Sequence, residues 1–273
     1  MPLPKHPYFR GLSPTLHIAH RGGSLLAPEN TLAAFRLAVE RYRTQMLETD
    51  VHLTRDGELV VAHDATLERC TDGVGAVADH TLAELQGLDA GYYFTPDAGR
   101  TWPFRGQGVR MPSLRELLRA FPGLRFNIEV KPDVPGIEDV FAQVLREEGA
   151  LERVCVGSEL DEVGERLVRA LPEACHFYPR EALTSFVLTV RSGELPPEDP
   201  RYTVLDMPLH FGEVRLVDEA LLHAVETRGR WLNVWTVDDP AEMRRLVAER
   251  VGGIMTDRPD LLRQILDEAP KPG

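Results

Sequence analysis

Cysteine is scarce in this chain of 273 residues. Cys70, Cys155 and Cys175 show neither CxxC spacing nor an even set to pair, which argues against a disulfide framework and for ordinary thiols in a reducing compartment. Long apolar runs are missing as well. No stretch approaches the roughly 18 apolar residues a membrane crossing needs, so stable membrane insertion is not expected. The first eleven residues carry Pro, Lys, His and Arg without an apolar centre, so no signal peptide is expected and the cytoplasm is the expected compartment. Positive charge is in deficit, with 31 Lys and Arg against 43 Asp and Glu, a net charge of −12. A broad surface for nucleic acid or an anionic membrane is therefore not expected, because such partners are polyanions. One small anionic ligand stays compatible, since a metal ion and a few cations reverse the field locally.

What remains is an ordinary globular composition, 43% hydrophobic and 27% charged, without low-complexity tracts. Short apolar runs alternate with helix-period segments along most of the chain. Strand-like runs begin near residues 16, 45, 125, 153, 174, 202, 231 and 253. Helical spacing is expected over 31–43, with Pro28 before it as an early-helix proline, and over 114–121, 137–148, 160–170, 181–190, 216–227, 241–249 and 261–266. Repeated βα units imply parallel strands with helices outside. Eight such units fit the roughly 250 residues of a TIM (β/α)8 barrel. A GxGxxG fingerprint after the first strand is absent, which weakens a dinucleotide-binding fold. Residues 65–112 break the rhythm with many Gly and Asp and one short helical stretch, 81–88. They read as a small insertion after the second strand, too poor in apolar residues to close a core alone. The whole of 1–273 is expected to be a single barrel domain.

In a parallel barrel the chemistry sits at the C-terminal strand ends. The first strand ends in His20-Arg21-Gly22-Gly23, an acid/base, a cation and close backbone access, unless it is merely a charged surface turn. The second contains Glu48-Thr49-Asp50. Residues two apart on a strand share a face, so Glu48 and Asp50 project together amid Met46, Leu47, Val51 and Leu53. Two carboxylates so placed repel, and a hard divalent ion resolves the repulsion. The third alternates Asn127, Glu129 and Lys131 with Phe126, Ile128 and Val130. Its polar face can add Glu129 to the ion and Lys131 to a phosphate, or form a structural salt bridge. Leu59 to Ala62 resumes an extended pattern after a Thr54-Arg55-Asp56-Gly57 turn, and the run ends in His63. His20 and His63 beside an acidic cluster suit phosphodiester cleavage, where one group accepts a proton and another donates one.

These segments together resemble the glycerophosphodiester phosphodiesterase family. The matching text is His20-Arg21-Gly22, Pro28-Glu29-Asn30-Thr31, Glu48 to Thr54, Asp56-Gly57, Val60 to Asp64, Glu129-Val130-Lys131, Trp235-Thr236-Val237 and Gly253 to Pro259. The similarity runs from about Ile18 to Pro259, and the order of motifs is more specific than any one of them. It implies a TIM-type barrel that hydrolyses glycerophosphodiesters to sn-glycerol 3-phosphate and an alcohol. Carried over residue by residue, Glu48, Asp50 and Glu129 would hold one Mg²⁺ or Ca²⁺, and His20 and His63 would be the acid/base pair. Arg21 and Lys131 would contact the phosphate, and the insertion would help close the site over the glycerol. Trp235 is expected either as an apolar wall beside the substrate or as core packing. Residues 153–202 match only as pattern. The nucleophile stays open between water and the glycerol hydroxyl, as does which histidine is the base. Three rivals stand beside this reading: a lysophospholipase D-type enzyme acting on lipids, a catalytically silent barrel binding a phosphorylated ligand, and a glycosidase with paired carboxylates.

Overall fold

A computed structural model describes residues 3–269. The strands in chain order are β1 (Leu16–Ala19), β2 (Met46–Leu53), β3 (Leu59–Val61), β4 (Arg125–Val130), β5 (Val154–Gly157), β6 (Cys175–His176), β7 (Val204–Pro208), β8 (His210–Phe211), β9 (Val214–Arg215), β10 (Trp231–Trp235) and β11 (Gly253–Thr256). Eight of them pair in parallel in the order β6-β5-β4-β2-β1-β11-β10-β7. The ends meet through a bridge between Phe177 and Val204, with the Thr203 N–H donating to His176 O at 2.8 Å and the Tyr178 N–H to Val204 O at 2.9 Å. The sheet thus closes into the expected TIM-type barrel.

The helices are α1 (Leu32–Arg36), α2 (Leu82–Gln86), α3 (Leu114–Ala120), α4 (Ile137–Glu147), α5 (Asp161–Ala170), α6 (Arg180–Arg191), α7 (Glu219–Thr227), α8 (Pro240–Ala248) and α9 (Pro259–Glu268). Except for α2, each outer helix buries its apolar stripe against the strands. One side is filled by Phe35, Leu117, Phe126, Ile128 and Phe141, the other by Leu205, Leu221, Leu232, Met243 and Ile254. The N-terminal end of the barrel interior is stoppered by Tyr8 and Phe9, which pack with Leu16, Met46, Val204 and Trp231. The Tyr8 hydroxyl donates to Phe126 O at 3.1 Å, so the plug's one polar atom is satisfied.

β2 is longer than its neighbours, and its tail turns back as a hairpin. Val51, His52 and Leu53 pair antiparallel with β3, and Gly57 supplies the positive φ (80°) the turn requires. The insertion then hangs on this hairpin. Leu67, Val77, Leu85, Ala90 and Met111 form a small cluster with Val60 and Ala62, separate from the main core. Its helix α2 starts with a capping box of Thr81 and Glu84.

Three expectations need correction. Pro28 lies ahead of the helix, which is capped by Thr31 accepting from the Ala34 N–H; the Pro28 carbonyl instead accepts from the Thr31 hydroxyl at 2.7 Å. The strand expected over 174–178 shrinks to β6, with Phe177 left as an isolated bridge to Val204 and the Tyr178 ring packed edge-on to Phe186 and tilted against Tyr202. The β8–β9 hairpin was not anticipated, and it delays the helix expected from Leu216 until Glu219, where Asp218 caps it.

Candidate active site

The acidic cluster is built by strand register. Glu48 and Asp50 share one face of β2, and Asp50 sits opposite Glu129 of β4 across the parallel ladder. All three carboxylates therefore stand on neighbouring strands at the barrel mouth. Glu48 and Asp50 are buried. Burial and Asp50 push the Glu48 carboxyl up to about 8, despite the opposing pull of His20 and Arg21. Burial also raises Glu129, and the charge of Lys131 only partly counters it. The Lys131 ammonium lies 2.7 Å from Glu129 and 3.1 Å from Asp50. In this arrangement no three His, Cys, Asp or Glu side chains among the described residues stand at metal-ligand spacing. The donor set itself suits a hard cation: three oxygen acids on neighbouring strands, two of which, Glu48 and Glu129, are shifted upward by burial and by the charge of Asp50.

The turn after β1 brings His20 and Arg21 to this cluster. Arg21 adopts a left-handed backbone (φ 51°), and Gly22 and Gly23 follow with φ 86° and 93°. A Cβ at Gly22 would meet Ala34 Cβ at 2.8 Å, so only glycine lets the turn lie against α1. This geometry aims the Arg21 N–H at Glu48 (3.0 Å) and brings its Nε to 3.5 Å from Asp50. The Arg21 Nε is buried without a hydrogen-bond partner.

Each histidine is fixed at Nδ1 by a carboxylate. His20 Nδ1 bonds Asp257 at 2.8 Å, leaving Nε2 facing Glu48 at 3.8 Å. Burial lowers the affinity of His20 for a proton, yet Glu48 and Asp257 outweigh it and the net shift is upward. His63 Nδ1 bonds Asp64 at 2.6 Å. A carboxylate only accepts, so both Nδ1 atoms carry the hydrogen and both Nε2 atoms are left for other partners. The segment that carries His63 is tied to β2, with the Ala62 N–H donating to the Asp50 backbone carbonyl at 3.0 Å and His52 Nε2 donating to the His63 carbonyl at 3.0 Å.

Trp235 ends β10 at the mouth and is 39% exposed, so it is not core packing. It lines a groove with Pro208, His210 and Asp239. The structure thus gathers Glu48, Asp50, Glu129, Lys131, Arg21 and His20 at the mouth, with His63 next to them and Trp235 on the β7–β10 side. Sequence reasoning assigned no role to Asp257, Asn30 or Asp206. Asn30, left-handed at φ 56°, donates to Asp50 Oδ2 at 3.2 Å and accepts from the Thr49 hydroxyl at 2.7 Å. Asp206 receives the amides of Asn127 (2.7 Å) and Asn233 (2.8 Å) inside the barrel, where burial raises it to about 6. Asp257 and Asn30 lay inside quoted motifs, but only the fold shows what they touch; Asp206 carried no local signal.

A parallel barrel with acid, imidazole and guanidinium groups converging on one mouth is the class of a phosphodiesterase barrel. The description of the glycerophosphoryl diester phosphodiesterase family matches residues 20–261, and the chain belongs to that family of phosphoric diester hydrolases. It is 35% identical to a glycerophosphodiester phosphodiesterase of Caldanaerobacter subterraneus, over 91% of this chain and 96% of the relative. It is 30% identical to one from Bacillus subtilis, over 92% of this chain and 86% of the relative. Among solved structures, a glycerophosphodiester phosphodiesterase from Agrobacterium tumefaciens superposes with a TM-score of 0.75 at 28% identity, covering 92% of this chain and 99% of the other. A phosphodiesterase of Oleispira antarctica, solved with its product sn-glycerol-3-phosphate, gives a TM-score of 0.72 at 25% identity, covering 94% and 98%.

Proposed function

We propose that this protein hydrolyses glycerophosphodiesters to sn-glycerol 3-phosphate and an alcohol, as one barrel unit carrying its insertion. The observation that carries the reading is the pair of imidazoles, each locked at Nδ1 by a carboxylate, beside a convergent set of acids and cations. Glu48, Asp50 and Glu129 would hold one Mg²⁺ or Ca²⁺. Bound there, the ion would neutralise the phosphodiester and stabilise charge gathering on its oxygens.

The chain's own groups do the rest. Arg21, with a buried Nε that lacks a partner, and Lys131 bind phosphate oxygens and orient the phosphorus. One histidine Nε2 takes the proton of the attacking oxygen as the new P–O bond forms. The other gives a proton to the alcohol oxygen as its bond to phosphorus breaks. Trp235 forms a wall of the groove that receives part of the substrate.

The test is release of glycerol 3-phosphate from glycerophosphocholine, with EDTA and with Mg²⁺ or Ca²⁺ restored. Activity should vanish with chelator and return with one ion. Glu48→Ala should abolish it, and His63→Ala should lower kcat by about 10²–10⁴. A folded, metal-loaded protein with no activity on any glycerophosphodiester would refute the reading. A second reading, action on lysophospholipids, is favoured by one feature: Phe211 and Val214 on the β8–β9 hairpin are 77% and 56% exposed, in the loop after β7. Lysophosphatidylcholine therefore belongs in the same assay. No helix among the described residues is long and apolar enough to cross a membrane, so such lipids would be met from the water side.

A further inference from the structure

The two halves of the site are tied together by a residue outside all of the motifs above. Arg69 stands in the insertion, in the turn after Leu67, whose side chain is buried in the insertion's small cluster. Its guanidinium engages two carboxylates, each through two bonds. Nε and Nη2 donate to Asp64 at 2.5 and 3.1 Å. Nη1 and Nη2 donate to Glu29 at 2.6 and 2.8 Å. Each carboxylate has a second partner. Asp64 holds His63 Nδ1 at 2.6 Å, and Glu29 accepts from Arg21 Nη1 at 3.2 Å. One continuous chain of polar contacts therefore runs His63–Asp64–Arg69–Glu29–Arg21. It joins the histidine at the end of the β2–β3 hairpin to the arginine after β1, two elements that pair with successive stretches of the same edge of β2, opposite β4.

We propose that Arg69 is a positioning residue that sets the His63 imidazole and the Arg21 guanidinium at once, through Asp64 and Glu29. The planar fork fixes both carboxylates in one plane, which a lysine ammonium cannot do. Asp64 is then held so that it can orient only one imidazole edge, and Glu29 so that Arg21 keeps its other nitrogens for the substrate. Both carboxylates are shifted downward, Asp64 chiefly by the hydrogen bond from Arg69 and Glu29 by Arg69 and Arg21 against the opposing effect of burial. The insertion thus contributes to catalysis through a single side chain and not only as a cover. The alternative is that Arg69 merely pins the insertion to the barrel.

The inference rests on the roles given above to His63 and Arg21, and kinetics separates the two. Wild type, H63A and R21A are assayed first on glycerophosphocholine with the ion that supports activity; an active H63A would sink those roles independently of Arg69. The variants D64N, E29Q, R69K, R69Q and D64N/R69Q are then compared, with thermal melts to confirm folding. D64N should lower chiefly kcat and E29Q should raise chiefly KM. R69Q should do both, with kcat/KM down about 10²-fold, the scale of misplaced catalytic groups. R69K should recover less than a tenth of the lost activity. The D64N/R69Q double variant should be hardly worse than the worse single one, because both remove the same link. Guanidinium chloride at millimolar levels should partly restore a further variant, R69A, whose truncation leaves room for the guanidinium, and leave H63A unrestored. Strictly multiplicative losses in D64N/R69Q, or R69Q with kcat and KM near wild type while H63A is dead, would overturn the proposal.

Discussion

Burial and the adjacent Asp50 hold the Glu48 carboxyl at about 8, against 4.5 for a free glutamate. The folded value lies above the unfolded one, so the contribution to stability is complete below about 4.5 and is lost as pH rises through about 8. A divalent ion needs the deprotonated form and competes with the proton. Protein stripped of ions should therefore lose melting temperature as pH rises across that window, and Mg²⁺ or Ca²⁺ should raise Tm more near its upper end. Calorimetry with and without EDTA checks this; an ion-induced shift that is the same at both ends would exclude Glu48 as a ligand. The chemistry of such residues was legible in the sequence where it lay in the period of a strand. Whereas Glu129 joins them only through the register of β2 against β4, Glu48 and Asp50 declared their shared face by spacing alone. Asp257 and Arg69 did not, because each meets its partner only through a fold that brings distant segments together.

The turn after β1 shows how little an element needs in order to be decisive. Its three residues, His20 to Gly22, place an imidazole, a guanidinium and a backbone N–H around Glu48. Gly22 permits this with φ 86° and no Cβ against Ala34. Gly22→Ala should destabilise by about 2–4 kcal/mol, combining left-handed strain with overpacking. It should also lower kcat/KM by more than the stability loss explains, because His20 and Arg21 shift with the turn. Denaturant melts and steady-state kinetics on the same preparation check both, and unchanged kinetics would show that the turn relaxes elsewhere. The β8–β9 hairpin stayed hidden for a different reason. Each strand is two residues long and its apolar residues point to solvent, so no period could form. The long outer helices were readable because their apolar stripes repeat over several turns.

Across the whole molecule, the closed barrel was legible from eight apolar runs with helices between, while the contacts that join its two ends were not. Closure rests on one bridge at Phe177 and on the bonds around Thr203 and Tyr178, in a stretch where the strand signal fades. The barrel also depends on a plug the sequence left unread, Tyr8 and Phe9 at the end away from the mouth. Tyr8→Ala should cost about 3–5 kcal/mol, as for other large aromatic truncations in a core. Because Tyr8 lies below the catalytic layer, KM and kcat of the folded fraction should stay within about twofold; a catalytic defect matching the stability loss would mean that the two ends are coupled. The Lys131 ammonium between Asp50 and Glu129 has a consequence for the life of the chain. An internal counter-charge lets the barrel close around its acidic mouth on its own. Under the proposed function, an ion held by these acids would load late and reversibly onto an already closed barrel, and Lys131, freed from them, would then be available to a phosphate.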